Sequence, residues 1–213
     1  MLLHIFRNFG EYLNPSAGNR ERGREATSNP FFILFTSHPS VCCGILFTKG
    51  GRSMRETIYD RDAAVAYARR WALERNPDYY DFENVGGDCT NFASQCIYAG
   101  ARIMNFTRDT GWYYRSSHDR AAAWTGVEYL YQFLVNNKSV GPFGHLVSQR
   151  EAEPGDIVQL GTFGGKFYHS PVITSVSRGI TVAAHTYDAL DRPLRYYDYD
   201  VVRFIHIDGV RVW

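Results

Sequence analysis

The chain changes its hydrophobic period at Pro142, and that change restricts its fold more than any other feature of the sequence. Upstream, apolar residues recur at helical spacing; downstream, short apolar runs sit between turn residues. A first helix is expected from Arg61 to Arg75, with Ala64, Ala68, Trp71 and Ala72 as its stripe. Asp60 caps it and Asn76-Pro77 stops it. A second begins at Cys89, carries Phe92, Cys96 and Ile97 on or near one side, and ends at a capping Gly100. A third spans 121–136, with Trp124, Val127, Leu130, Tyr131 and Leu134 inward. Beyond Pro142, the turn Glu153-Pro154-Gly155-Asp156 feeds a strand at 157–160, and a glycine-rich connection follows at 161–166. Further strands are expected at 167–176, 180–184 and 201–207, with Pro171 favouring an edge or a bulge in the first of these. Helices first and an antiparallel sheet second make an α+β fold.

Residues 1–53 stand apart. Two short apolar runs, 31–35 and 41–47, are separated by Thr36–Ser40, and neither approaches the roughly 20 residues of a membrane span. The charged run Arg20–Glu25 interrupts any early stretch of the kind a secretory signal needs. With no such signal, a cytoplasmic protein is expected. Met54 follows immediately. The reading adopted is a domain over 54–213, with 1–53 as upstream sequence from a misplaced start or as a poorly ordered extension. A net charge of +1 offers no basic surface for nucleic acid or an anionic membrane. The four cysteines make no disulfide framework: Cys42 and Cys43 are adjacent, and Cys89 and Cys96 lie about 10 Å apart along one helix.

The chemistry concentrates at Gly86-Gly87-Asp88-Cys89-Thr90-Asn91. A glycine turn delivers Cys89 to the first turn of a helix, where free N–H groups and the helix dipole favour a thiolate. Two histidines in strand-like settings follow. His169 can take the thiol proton if the face it shares with Pro171 and Ile173 meets the Cys89 helix. His185 ends the next strand and can stand beside His169 to orient it, with Asp188 as the rival for that role. Zinc is disfavoured, because Cys89-x6-Cys96 and His169-x15-His185 lack the short paired spacings of structural zinc sites.

These residues come in a familiar order. The motifs at 86–96, the helix around Trp124, Pro-Gly-Asp-Ile-Val-Gln at 154–159, His-Ser-Pro-Val-Ile-Thr at 169–174 and Ala-His-Thr-Tyr-Asp at 184–188 resemble the putative amidase domain family. That family is a bacterial branch of the papain-like superfamily, close to the NlpC-like and CHAP-type cell-wall hydrolases. The resemblance covers about residues 57–208 and implies a nucleophile helix packed on an antiparallel sheet. On it Cys89 is the nucleophile, His169 the general base and acid, and His185, ranked over Asp188, the third member. The Cys89 N–H contributes to an oxyanion hole, with Asn84 a weak candidate for a side-chain donor and Asp88 a helix cap. The implied reaction is hydrolysis of an amide or peptide through an acyl-enzyme, without metal or organic cofactor, with peptidoglycan-derived peptides as the suggested substrates. A noncatalytic peptide- or glycan-binding module and an acyltransferase are the alternatives.

Overall fold

The computed structural model describes residues 53–213. The expectations about 1–52, including the start site and Cys42 and Cys43, lie outside the described residues.

Helix α1 (Arg61–Trp71) starts where the sequence places it: the Asp60 carboxylate accepts the Ala63 N–H at 2.9 Å. It buries Ala64, Val65 and Ala68 against α2 (Cys89–Ala101). Helix α2 is buried on nearly every side, as its apolar and small residues require, and it lies in the middle of the domain. Gly100 falls inside α2 rather than after it. Its role is close approach, since a Cβ there would overlap the Tyr59 ring and the Asp60 carbonyl, and Arg102 makes the left-handed cap instead. The expected third helix is two: α3 (Ala122–Thr125) and α4 (Val127–Asn136), divided by extended backbone at Gly126.

The strands form one antiparallel sheet. In chain order they are β1 (Arg55–Thr57), β2 (Gly141–Val147), β3 (Ile157–Gly161), β4 (Phe167–His169), β5 (Val172–Ser175), β6 (Thr181–Ala184), β7 (Ala189–Pro193) and β8 (Val201–Val212). The order across the sheet is β1-β8-β3-β5-β6-β7, with β2 also paired to β8 and β4 to β3. The single strand expected over 167–176 is broken at Ser170-Pro171. Both pieces still pair with β3, at Leu160 opposite His169 and Ile157 opposite Val172. Proline has no N–H for the ladder, so the break falls where the ladder loses a donor.

Period-2 alternation sorts the sheet into two faces. Ile157, Val172, Ala183 and Ile205 join Phe92, Ile97, Trp112 and Trp124 in the core beneath the helices. Val158, Leu160, Ile173, Val182 and Phe204 form a second cluster, against which Tyr197 packs. This is an α+β domain in which helix α2, with Cys89 at its start, sits between α1, α4 and the sheet. Among the described residues, no helix is long and apolar enough to cross a membrane.

Candidate active site

Cys89 is the first residue of α2, delivered by Gly86 and Gly87, both at positive φ (98° and 101°). A side chain at Gly87 would also press on the Thr186 hydroxyl, at 3.2 Å from an added Cβ. The residue before Cys89 is fastened from several directions. Asp88 N–H donates to Thr186 Oγ1 at 2.7 Å. Its carboxylate Oδ1 accepts from Phe82 N and from Asn91 Nδ2, both at 2.9 Å. Asp88 stands at the N-cap position but does not make the expected side-chain cap: its carboxylate bonds none of the first turn's N–H groups and instead ties Phe82 to Asn91. Asn91 in turn donates to Tyr80 O and accepts from Trp124 Nε1 at 2.9 Å.

The thiol lies beside the strand that carries His169. Sγ is 4.0 Å from the carbonyl of Tyr168, the Ser170 backbone N–H also faces the thiol, and Thr90 Oγ1 is 3.8 Å away. Cys89 and His169 thus come to one place through the peptide groups on either side of the histidine. The route differs from the expected one: Ser170 and Val172 belong to the helix-facing side, while Ile173 joins the far cluster. The chain break at Ser170-Pro171 is what defeats a face count carried through from 169 to 173.

Burial pushes the Cys89 thiol above its ordinary value, against the sequence expectation of a depressed one. The N–H and hydroxyl donors of Ser170 and Thr90 pull the other way and are outweighed. His169 is buried, with its ring centroid 5.7 Å from that of Tyr197. Desolvation, helped by the Arg192 guanidinium, holds it down to about 4. Its ring nitrogens make no hydrogen bond among the described residues. At neutral pH the site therefore holds a neutral thiol and a neutral imidazole.

His185 is brought to Asp88. Its Nδ1 lies 2.6 Å from Asp88 Oδ2, its Nε2 lies 2.8 Å from the carbonyl of Trp71, and its ring stacks on Phe92 at 4.0 Å. A backbone carbonyl only accepts, so Nε2 carries a proton; the short Nδ1–Oδ2 contact holds another, whichever atom bears it. Both nitrogens are committed, neither to His169. Asp188 lies in a surface ion pair with Arg75 (2.9 and 3.0 Å), which also reaches Glu83. Asn84 is exposed in the 83–86 turn. Thr90, Ser170, Gln159 and Thr186, at the heart of the site, lie inside the quoted motifs. For Thr90, Ser170 and Thr186 the signal in the sequence is adjacency to a cysteine or histidine; Gln159 has no such neighbour.

Residues 58–207 match the family described as "Putative amidase domain". The chain belongs to that family. A relative from Bacillus subtilis (strain 168), named "Uncharacterized protein YhbB", is 33% identical over 147 residues, covering 67% of this chain. The matched region makes up 45% of that relative's own length. No solved structure matches the chain.

Proposed function

We propose that the domain is a cysteine hydrolase of amide or peptide bonds with a papain-like, NlpC-like arrangement, acting through an acyl-enzyme at Cys89. The observation that carries this reading is the placement of the Cys89 thiol at the start of α2 against the backbone flanking His169, whose ring is buried and makes no hydrogen bond among the described residues. His169 takes the thiol proton as Sγ attacks the carbonyl carbon, and the Cys89 N–H at the helix start faces the developing oxyanion. The C–N bond breaks, and the amine leaves with the proton held by His169. Water then attacks the thioester with His169 as base, releasing the acid and restoring the thiol. His185 acts through Asp88, holding the segment before the nucleophile. Peptidoglycan-derived peptides are the substrate class we favour.

The resting neutrality of thiol and imidazole, with no hydrogen bond joining them, favours a second reading, a noncatalytic peptide- or glycan-binding module on the same fold. Incubation of the 213-residue chain with p-nitrophenyl acetate, followed by peptide mass analysis, separates the two. The hydrolase reading expects an acetyl group on Cys89 that forms slowly in His169→Ala and decays with release of acetate. Persistence of the ester-cleaving turnover in Cys89→Ala, or no adduct on Cys89 in the native chain, would overturn it. Transfer of the acetyl group to an added amine in preference to water would identify an acyltransferase using the same residues.

A further inference from the structure

A line of buried side chains leads from β8 to the nucleophile, and its polarity can be read link by link. Gln159 is fully buried on β3. Its Oε1 accepts from Arg203 Nε at 2.8 Å, while its Nε2 donates to the Val127 carbonyl at 2.8 Å and to Ser170 Oγ at 3.0 Å. A guanidinium only donates and a carbonyl only accepts, so the amide can stand only one way round. Arg203 is itself fixed, between the rings of Tyr131 and Phe167 and in an ion pair with Glu128 at 2.7 Å. Ser170 Oγ therefore receives an N–H from Gln159, and it receives the Thr90 hydroxyl as well, at 3.4 Å. Thr90 Oγ1 is in turn 3.8 Å from Cys89 Sγ.

With its proton spent on Ser170, the Thr90 oxygen presents a lone pair to the sulfur, an acceptor for the neutral S–H alongside the Tyr168 carbonyl at 4.0 Å. Removing the thiol proton reverses the demand, because a thiolate only accepts. One rotation about the Thr90 C–O bond carries the hydroxyl proton from Ser170 to Sγ, at the cost of a long and therefore weak hydrogen bond. Thr90, Ser170 and Gln159 are all buried, so water does not compete for these positions. We infer that Thr90 is a hydroxyl rotor for the nucleophile: it accepts from the Cys89 thiol at rest and donates to the thiolate once His169 holds the proton, while Ser170 and Gln159 are positioning residues that hold its resting state. This rests on the reading of Cys89 as the nucleophile. Burial opposes the thiolate here, which is why a donor that arrives only on demand matters.

The test is the pH midpoint of Cys89 alkylation by iodoacetamide in the full chain, followed on the Cys89 peptide by mass spectrometry. Thr90→Val keeps the shape and removes the donor. It is expected to raise the midpoint by about one pH unit, roughly a tenfold loss of thiolate at fixed pH. Thr90→Ser restores the hydroxyl and the native midpoint. Ser170→Ala removes the resting partner, so it should lower the midpoint by about 0.3 unit, and should do nothing in a Thr90→Val background. Generic loosening of the site would not give shifts of opposite sign. An unchanged midpoint in a folded Thr90→Val protein, or a raised one in Ser170→Ala, overturns the rotor. Should Thr90→Val fail to fold, the sign in Ser170→Ala decides. The midpoint reads the thiol alone, so a shift without any acyl adduct on Cys89 keeps the rotor and discards the hydrolase reading.

Discussion

His169 and His185 are two buried histidines at strand ends, 7% and 1% exposed, and the sequence offers little to tell them apart. Their surroundings differ completely. His185 has a carboxylate on one nitrogen, a carbonyl on the other and a phenyl ring against its face. His169 has the Tyr197 ring beside it and makes no hydrogen bond among the described residues. A histidine whose nitrogens are both satisfied cannot exchange a proton without breaking a buried contact. One with no hydrogen bond among the described residues keeps a ring lone pair open to a neighbour, although desolvation lowers its basicity. On the proposed reading, the difference separates a group that holds structure from one available for chemistry, and mutation should reproduce that separation.

The largest effect should come from the free ring. His169→Ala is expected to slow acetylation of Cys89 by p-nitrophenyl acetate by about 10²- to 10⁴-fold, the usual contribution of a positioned general base. Its denaturation midpoint should fall less than that of His185→Ala, since it loses packing against Tyr197 but no hydrogen bond among the described residues. His185→Ala should show the reverse emphasis. It leaves Asp88 buried with one partner fewer and opens space against Phe92, so chemical denaturation should report a loss of about 3–5 kcal/mol. A stable His185→Ala protein with normal unfolding would break the comparison.

Much of this was legible in the sequence. The α+β order, the capped start of α1 and the cysteine at a helix start all follow from period, caps and glycines. What the sequence hid has physical reasons. The helix pattern ran across Gly126 because Trp124, Leu130 and Leu134 face the same core on both sides of the break. Strand β2 was invisible because Pro142 and two glycines mask its alternation, and pairing with β8 is what makes it a strand. The helix-dipole argument for a depressed Cys89 was sound in sign but lost to burial, a quantity that depends on the whole fold. The assignment of His185 needed its partner, and Asp88 lies 97 residues away in the chain.

A smaller effect should appear in the pH dependence of stability. An ordinary histidine titrates near 6.5, and His169 is held down to about 4 when folded. Between these values the unfolded chain binds a proton that the folded chain refuses. Stability from this group is therefore complete above about pH 6.5, declines as pH falls, and stops declining below about 4. The drop amounts to about 3 kcal/mol for a shift of this size. Denaturation of the native chain and of His169→Gln from pH 7 to pH 4 should differ by that slope. Parallel curves would mean that His169 is as solvated as a free imidazole, and the contrast with His185 would lose its basis.

The smallest effect tests how far the His185 side extends. Arg75 bridges Asp188 and Glu83, and Glu83 Oε2 in turn accepts the Thr186 N–H, one residue past His185. These ion pairs are partly exposed, so solvent screening limits them, and Arg75→Met should cost about 1 kcal/mol or less. The loss should shrink as salt is added, because the native chain then relies less on the pair. If the carboxylates around Arg75 served the chemistry directly, the variant would also change the Cys89 alkylation midpoint or the acetylation rate. If they only fasten the 81–88 loop, stability should fall slightly while both readouts at Cys89 stay native. The second outcome is the expected one. The hydrogen bonds that fix Asp88 itself come from Phe82, Asn91, Thr186 and His185; Arg75 adds only a longer ion pair, its Nε 3.9 Å from Asp88 Oδ2.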